Sequence, residues 1–522
     1  MVCSHPHDFY LIGRVGLSNI NYKSAGLPGS PKYPWPTLYS TFNYDQITWI
    51  MVPTTTLALL LSYLSGEVFC TSHSYNGLGL TPQMGWNNWN SFACDVNEDL
   101  LLGAAEKLAA LGLQDLGYKY VILDDCWSAG RSENGSLLPD SGKFPHGMKY
   151  VADYLHERDM LFGMYSSAGE YTCAGYAGSL GYEQADADSF ASWDVDYLKY
   201  DNCFNRGQFG TPLISYNRYK TMSDALNKTG RPIFYSLCNW GQDLTFYWGS
   251  GISNSWRVSG DIYPFFDRPD SRCPCDDDEY DCKYAGFHCS IMNILGKAAP
   301  MGQNAGVGGW NDLDMLEVGV GNLTDDEEMA HFSMWAIVKS PLIIGANLDD
   351  LTPTSYSILN NPAVIAVNQD PAGSPAVRVW REKVSDTDKY GRGEIQLWSG
   401  PLENGDQVVA MLNGGAKPRP MNATLLDVFP ESEEGTAEHD GEWAVYDLWA
   451  NRLENFTAES ILYGGSQDAS KYYNATQLPY KEGIAKNDTR LFGKYFSNLS
   501  PGNPITATVP AHGIALFRLR KQ

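Results

Sequence analysis

Acidic side chains stand at the ends of short apolar runs in this chain: Asp124 and Asp125 after YKYVIL, Asp201 after YLKY, Asp261 after SWRVSG, and Asp312 and Asp314 within GGWNDLDM. Lys199 and Arg257 stand among them, with Trp86, Trp89, Cys238 and Trp240 at the ends of further runs. One Asp in such a place is usually a turn former or a helix cap. The repetition carries more, because two carboxyl groups on one rim can cleave a glycosidic bond, one attacking the anomeric carbon while the other moves a proton. No conspicuous His, serine nucleophile elbow, phosphate-binding loop, HExxH helix or dinucleotide fingerprint offers a competing chemistry.

The elements that would bring these residues together repeat from about residue 80 to 370. Eight apolar strand phrases, PQMGWN, YKYVILDD, LFGMYSS, VDYLKYDN, PIFYSLCNW, SWRVSGD, GGWNDLDM and PLIIGAN, alternate with amphipathic stretches. Leu100, Leu101, Ala104, Ala105, Leu108 and Leu111 show the helical spacing between the first two. Buried strands joined by helices pair in parallel through right-handed crossovers, so an α/β fold with a (β/α)8 TIM barrel is expected, with reactive groups at the strand C-termini. Beyond about 375 the pattern turns to alternating strands (EIQLWSG, QVVAMLN, WAVYDLW, ITATVPA) between Gly, Asn and Pro turns, as in an antiparallel β-sandwich-like domain.

Asp201 and Asp261 are expected to end the fourth and sixth strands. Two strand spacings put their backbones roughly 9 to 10 Å apart, and inward side chains could close to about 5 to 5.5 Å, the separation of a retaining mechanism. Lys199 shares a face with Asp201 and is expected to keep it ionised as the nucleophile, while crowding by other carboxylates is expected to keep Asp261 protonated as the acid.

The 522 residues carry a net charge of −24, which argues against nucleic acid as a partner. Fifteen Trp and thirty-two Tyr suit a neutral ligand with apolar C–H faces, such as a sugar. The run Leu57–Leu64 after Met51 is too short to span a bilayer but has the length of a signal-peptide core. Residues 1–50 read as a non-native or removed extension, 51–70 as a signal peptide cleaved after Cys70, 71–372 as the catalytic domain and 373–522 as the β domain. Eight sequons, at Asn134, Asn227, Asn322, Asn422, Asn455, Asn474, Asn487 and Asn498, fit a secreted glycoprotein without a membrane anchor after processing.

Setting Cys3 and Cys70 aside, nine of the eleven cysteines remain, and an odd count leaves a thiol over. Cys273, Cys275, Cys282 and Cys289 admit a zinc cluster or disulfides, and an oxidising compartment favours disulfides. The acidic run between Cys275 and Cys282 lacks the register of a calcium loop. No metal and no cofactor are expected.

The phrases YLKYDNC, LDDCW, YSLCNWG and SWRVSGD, in this order, resemble glycoside hydrolase family 27, the α-galactosidases, and from Asn76 onward the chain is similar to its secreted yeast members, the melibiases. The resemblance implies a (β/α)8 barrel with a C-terminal antiparallel β domain and removal of terminal α-galactosyl units from melibiose, raffinose and related galactosides with retention of configuration. It implies Asp201 as nucleophile and Asp261 as acid/base, with a substrate shell of Trp89, Asp124, Asp125, Lys199, Cys238, Trp240, Arg257 and Gln303. The pair Asp124 and Asp125 would bind the outer hydroxyls, including the axial 4-OH; an epimer leaves such a site badly paired.

The resemblance further implies disulfides Cys94–Cys126, Cys173–Cys203, Cys273–Cys289 and Cys275–Cys282, leaving Cys238 free beside the sugar 2-hydroxyl or as an apolar core thiol. A homo-oligomer, a tetramer in yeast relatives, is implied too. The bulk of Trp240 argues against the same-fold alternative, an α-N-acetylgalactosaminidase, and the presence of both Asp201 and Asp261 against a noncatalytic galactose lectin. Asn239 departs from the Glu of plant members, which bears on the aglycone, and Met315 reads equally as rim packing or a sugar contact.

Overall fold

A computed structural model describes residues 75–273, 288–430, 436, 438–464 and 492–522. The expected leader and signal segments, the Cys275–Cys282 pair with its acidic run, and the sequons at Asn474 and Asn487 lie outside the described residues.

Eight parallel strands form one sheet: β1 (Met84–Asn87), β2 (Tyr120–Ile122), β3 (Leu161–Ser167), β4 (Tyr197–Asp201), β5 (Phe234–Cys238), β6 (Ser255–Arg257), β7 (Trp310–Asp312) and β8 (Leu342–Ile344). Each lies within one of the eight expected phrases. Their order, β8-β1-β2-β3-β4-β5-β6-β7, is that of a barrel, and β7 reaches β8 through a parallel bridge between Leu316 and Ile344 in place of a ladder.

Helices α1 (Glu98–Ala110), α2 (Met148–His156), α3 (Glu183–Ser192), α4 (Pro212–Lys228), α5 (Ile291–Ala298), α6 (Asp325–Ile337), α7 (Pro353–Leu359) and α8 (Pro362–Asn368) wrap this sheet. Local signals set their starts. Asn97 accepts the Leu100 amide to cap α1, Thr211 precedes Pro212 at α4, and Thr324 and Glu327 form a reciprocal capping box at α6. Between β5 and β6 the repeat breaks down to one four-residue helix, Thr245–Trp248, flanked by short turns. Glycines 241, 249 and 251 interrupt that stretch, and Gly249 lies so close to Trp256 that a Cβ there would meet its ring at 2.8 Å.

Inside the barrel, Tyr197 stacks on Phe234 at 5.3 Å between centroids, and Tyr120 packs against both at 5.5 and 6.0 Å. Ile122, Met315 and Ile343 complete this apolar layer. It has room for the rings because β3 carries Gly163 opposite, where a Cβ would stand 2.7 Å from Ile122. Strand alternation places Lys199 and Asp201 above Tyr197, and Ser236 and Cys238 above Phe234, on the same inward face. The polar site therefore rests on an aromatic floor.

The C-terminal strands are β9 (Val377–Lys383), β10 (Glu394–Pro401), β11 (Gln407–Asn413), β12 (Arg419–Ala423), β13 (Trp443–Asp447), β14 (Lys494–Leu499), β15 (Ile505–Val509) and β16 (Gly513–Lys521). Six form an antiparallel sheet in the order β9-β10-β11-β16-β13-β14, and β12 pairs with β15 in a separate ribbon. Alternation along the central strands gives two buried faces. Leu397, Val409, Met411, Phe517 and Leu519 pack with ribbon residues Met421, Ile505 and Val509, whereas Trp398, Val408, Ala410, Leu412 and Leu516 join the barrel core. The β domain is thus fastened to the outer helices of the barrel.

Trp449 sits in that junction, its indole N–H donating to Ser333 Oγ at 2.9 Å while its ring packs on Phe332. Trp449→Ala should destabilise the protein by about 3–5 kcal/mol, the cost of emptying a large buried site. Chemical unfolding followed by intrinsic fluorescence measures it; a loss below 1 kcal/mol would show that the junction contributes little.

Candidate active site

A cavity of about 500 Å³ opens at the C-terminal ends of the barrel strands, lined among others by Trp89, Asp124, Lys199, Asp201, Trp240, Arg257 and Asp261. Strand register explains much of the convergence. Tyr165 of β3 pairs with Lys199, Asp201 pairs with Cys238, and Arg257 pairs with Asp312, so reactive side chains share adjacent rows.

Asp124 is 2 % exposed and is fixed from three sides. Lys199 Nζ donates to its Oδ2 at 2.8 Å, Asn87 Nδ2 does so at 2.8 Å, and the Asp125 amide donates to Oδ1 at 3.0 Å. Asn88 Oδ1 in turn accepts the Asp124 amide at 2.8 Å. Burial works to lower the Lys199 ammonium, but the surrounding acids, Asp124 first, outweigh it and hold the pKa well above the ordinary value.

Asp201 is buried, and Tyr165 O–H donates to its Oδ2 at 2.9 Å while the Asn202 amide donates to Oδ1 at 2.8 Å. Its pKa is pushed up to about 6: burial dominates, Lys199 opposes it, and Asp261 adds to it. Lys199 acts on Asp201 in the expected direction, favouring the ionised form, but burial outweighs it, and the ammonium makes its hydrogen bond to Asp124. The sulfurs of the Cys173–Cys203 disulfide lie within 4.8 Å of the Asp201 carboxyl.

Asp261 differs from its expected placement. β6 ends at Arg257, and Asp261 stands four residues later in a loop, its side chain 58 % exposed. The crowding by carboxylates expected there is offset by a cation, since Arg257 Nη2 lies 3.1 Å from Asp261 Oδ1 and 2.7 Å from Asp314 Oδ2. Asp314 also accepts the Ile262 amide at 2.9 Å and so ties the loop that carries Asp261 to the end of β7. Trp240 and Asp314 both hold positive φ, 60° and 78°, which costs a non-glycine residue free energy and re-aims its side chain from the strand direction.

Three expected shell residues do not line the cavity. Asp125 turns its oxygens to the backbone, accepting from Cys126 at 2.7 Å and Ala174 at 2.9 Å, so it braces the turn beneath Asp124. Cys238 lines a separate space of about 20 Å³, where Arg257 Nη1 approaches its Sγ at 3.5 Å. Burial pushes the thiol pKa well up, and it stays protonated. Gln303 lies exposed in the turn after α5, its amide donating to the Pro300 carbonyl at 3.0 Å.

The sequence reasoning had overlooked Tyr165, Asn87, Asn88, Asn90 and Glu317, and had given Asp314 no partner. Tyr165 was findable, since it alternates inward on β3. The asparagines follow a strand end and look like turn formers. Met315 lines the cavity, and disulfides Cys94–Cys126 and Cys273–Cys289 occur elsewhere in the barrel.

The chain matches the alpha galactosidase A family over residues 81–370 and the alpha galactosidase C-terminal beta sandwich domain over 392–467. It belongs to the alpha-galactosidase family. An alpha-galactosidase of Lachancea cidri is 71% identical over 462 residues, 88% of this chain and 98% of the relative, and alpha-galactosidase 2 of Saccharomyces cerevisiae is 70% identical, covering 87% and 96%. A solved Saccharomyces cerevisiae alpha-galactosidase superposes with a TM-score of 0.84 at 70% identity over 86% of this chain and 99% of that one, and an alpha-galactosidase of that yeast solved with raffinose matches equally well.

Within this family frame, the Arg257–Asp314 pair is the buried contact that anchors the loop of Asp261. Asp314→Ala should cost about 3 kcal/mol or more by leaving Arg257 short of a buried partner. Thermal unfolding of Asp314→Ala and Asp314→Asn checks this; an unchanged midpoint for both would show that Asp261 balances the guanidinium alone.

Proposed function

We propose that the protein is a retaining exo-α-galactosidase that removes terminal α-D-galactosyl residues from melibiose, raffinose and related oligosaccharides by double displacement. The observation that carries this reading is the meeting of Asp201 and Asp261 in one cavity, the first sunk beneath hydrogen-bond donors and the second at the open side. That difference in depth matches their roles: the nucleophile approaches the ring face of a seated sugar, and the proton donor meets the departing oxygen nearer solvent.

In the first step an Asp201 carboxylate oxygen forms a bond to C1 as the bond from C1 to the leaving oxygen breaks, and Asp261 gives that oxygen its proton. The product is a β-galactosyl ester on Asp201. In the second step Asp261 takes a proton from water, the water oxygen bonds to C1, and the ester C1–O bond breaks, restoring both groups. Tyr165 and the Asn202 amide stabilise the Asp201 carboxylate in the attacking and departing states. Asp124, held by Lys199, Asn87 and the Asp125 amide, is the hydroxyl-binding carboxylate, and the Trp240 indole limits space where a 2-acetamido group would need it. Asp125 supports the turn beneath.

Secretion as a glycosylated homo-oligomer completes the reading. Asn134, Asn227, Asn322, Asn422 and Asn455 are exposed, as glycan acceptors must be, and no helix among the described residues is long and apolar enough to cross a membrane.

Asp201→Gly should lose nearly all turnover of an aryl α-galactoside, and azide should restore part of it with β-galactosyl azide as product. An α-azide product would reverse the assigned roles. The wild-type kcat/KM should fall as pH drops through about 6, because Asp201 then carries a proton and cannot attack. Lys199→Met should move that limb to higher pH by removing the charge that opposes desolvation; a limb unmoved in Lys199→Met would assign it to another group.

A further inference from the structure

Glu317 takes no part in the mechanism above, yet it lines the cavity while being only 1 % exposed. Its surroundings lie on three elements. Its carboxyl Oε1 accepts from Asn90 Nδ2, in the turn after β1 that also carries Trp89. Its backbone amide donates at 2.9 Å to His331 Nε2 on α6. Its neighbour Leu316 makes the bridge to β8, donating to the Ile343 carbonyl at 2.8 Å and accepting from the Gly345 amide at 3.1 Å.

That bridge is the seam of the barrel, where β7 and β8 lack the ladder that joins the other neighbours. Ser91 Oγ donates to the Gly345 carbonyl at 2.7 Å, so the turn after β1 already sits on the end of β8. The Asn90–Glu317 contact spans from that turn across β8 to the segment following β7. The two segments it joins supply Trp89 on one side and Asp314 and Met315 on the other, all of which line the cavity.

We propose that Glu317 is a positioning residue of the galactoside site, a carboxyl clasp that, through Asn90, holds the Trp89 wall and the Asp314–Met315 wall at the spacing a galactosyl ring requires. This rests on the functional reading above. Neutrality follows from what faces the group. Burial pushes the Glu317 pKa up to about 8, Asp314 adds to the rise, and only the Asn90 amide works against it. From α6, His331 is pushed down to about 3 by burial, and its Nδ1 is buried without a hydrogen-bond partner, so it supplies no charge. Glu328 on the same helix is engaged by the Gly319 amide at 2.8 Å. An ionised Glu317 would therefore be a buried anion beside the Asp314 carboxylate.

The test measures D-galactose affinity by calorimetry, and kcat and KM for an aryl α-galactoside, in wild type, Glu317→Gln, Glu317→Ala, Asn90→Ala and the double alanine variant. Glu317→Ala and Asn90→Ala should each weaken galactose binding and raise KM about tenfold while kcat stays within about threefold. The double variant should be no worse than either single one, and Glu317→Gln, which keeps the acceptor for Asn90, should restore binding. Wild-type affinity should fall as pH rises through about 8, where Glu317 ionises, and the Gln variant should lose that dependence.

If Glu317→Ala does not fold, Asn90→Ala and Glu317→Gln carry the same comparison. Unchanged galactose affinity in the alanine variants overturns the clasp, as does a Gln variant no better than alanine. A wild-type protein that binds no galactose overturns the functional reading and the clasp together.

Discussion

The mouth of this barrel concentrates buried carboxyl groups, and the cations lining the cavity, Lys199 and Arg257, make that concentration tolerable. Each is shared: Lys199 is bonded to Asp124 while acting at a distance on Asp201, and Arg257 sits between Asp261 and Asp314. A buried charge without a partner costs several kcal/mol, so neither cation can be moved without stranding an acid. The same economy leaves Asp201 incompletely balanced, which is why its pKa is pushed up to about 6.

The barrel was legible because its signals are local and repeated. Apolar strands of three to seven residues, helical spacing after them and polar residues at their ends recur often enough that a mistake in one unit does not disturb the rest. The break between β5 and β6 was less visible, since FYWG reads as amphipathic until Gly249 is seen pressed against the Trp256 ring. The two buried faces of the C-terminal sheet were hidden for another reason: alternation identifies a strand but does not tell which of its faces meets the barrel.

At the site, residue types on strand ends identified most of the cavity, and charge arguments did less well. Proximity along β4 suggested that Lys199 serves Asp201, whereas the ammonium reaches across to Asp124 on the end of β2. Asp261 was read as a strand end because SWRVSGD is continuous in sequence, but hydrogen bonding stops at Arg257 and the acid swings on a loop held by Asp314. Such contacts join residues tens of positions apart, and nothing in either local segment encodes them. Asn90 and Glu317 are the extreme case, 227 positions apart in the chain and adjacent only because the barrel closes there.

The aromatic layer of Tyr120, Tyr197 and Phe234 has a consequence for what can be digested. The rings lie beneath the inward-facing Lys199, Asp201 and Cys238 and help to fill the barrel interior, so a sugar reaches the cavity from the rim of the strand ends. With Asp201 buried and Asp261 exposed, a ring seated with C1 at Asp201 keeps its leaving oxygen on the solvent side. A unit at the tip of a branch meets that demand while the rest of its chain stays in water.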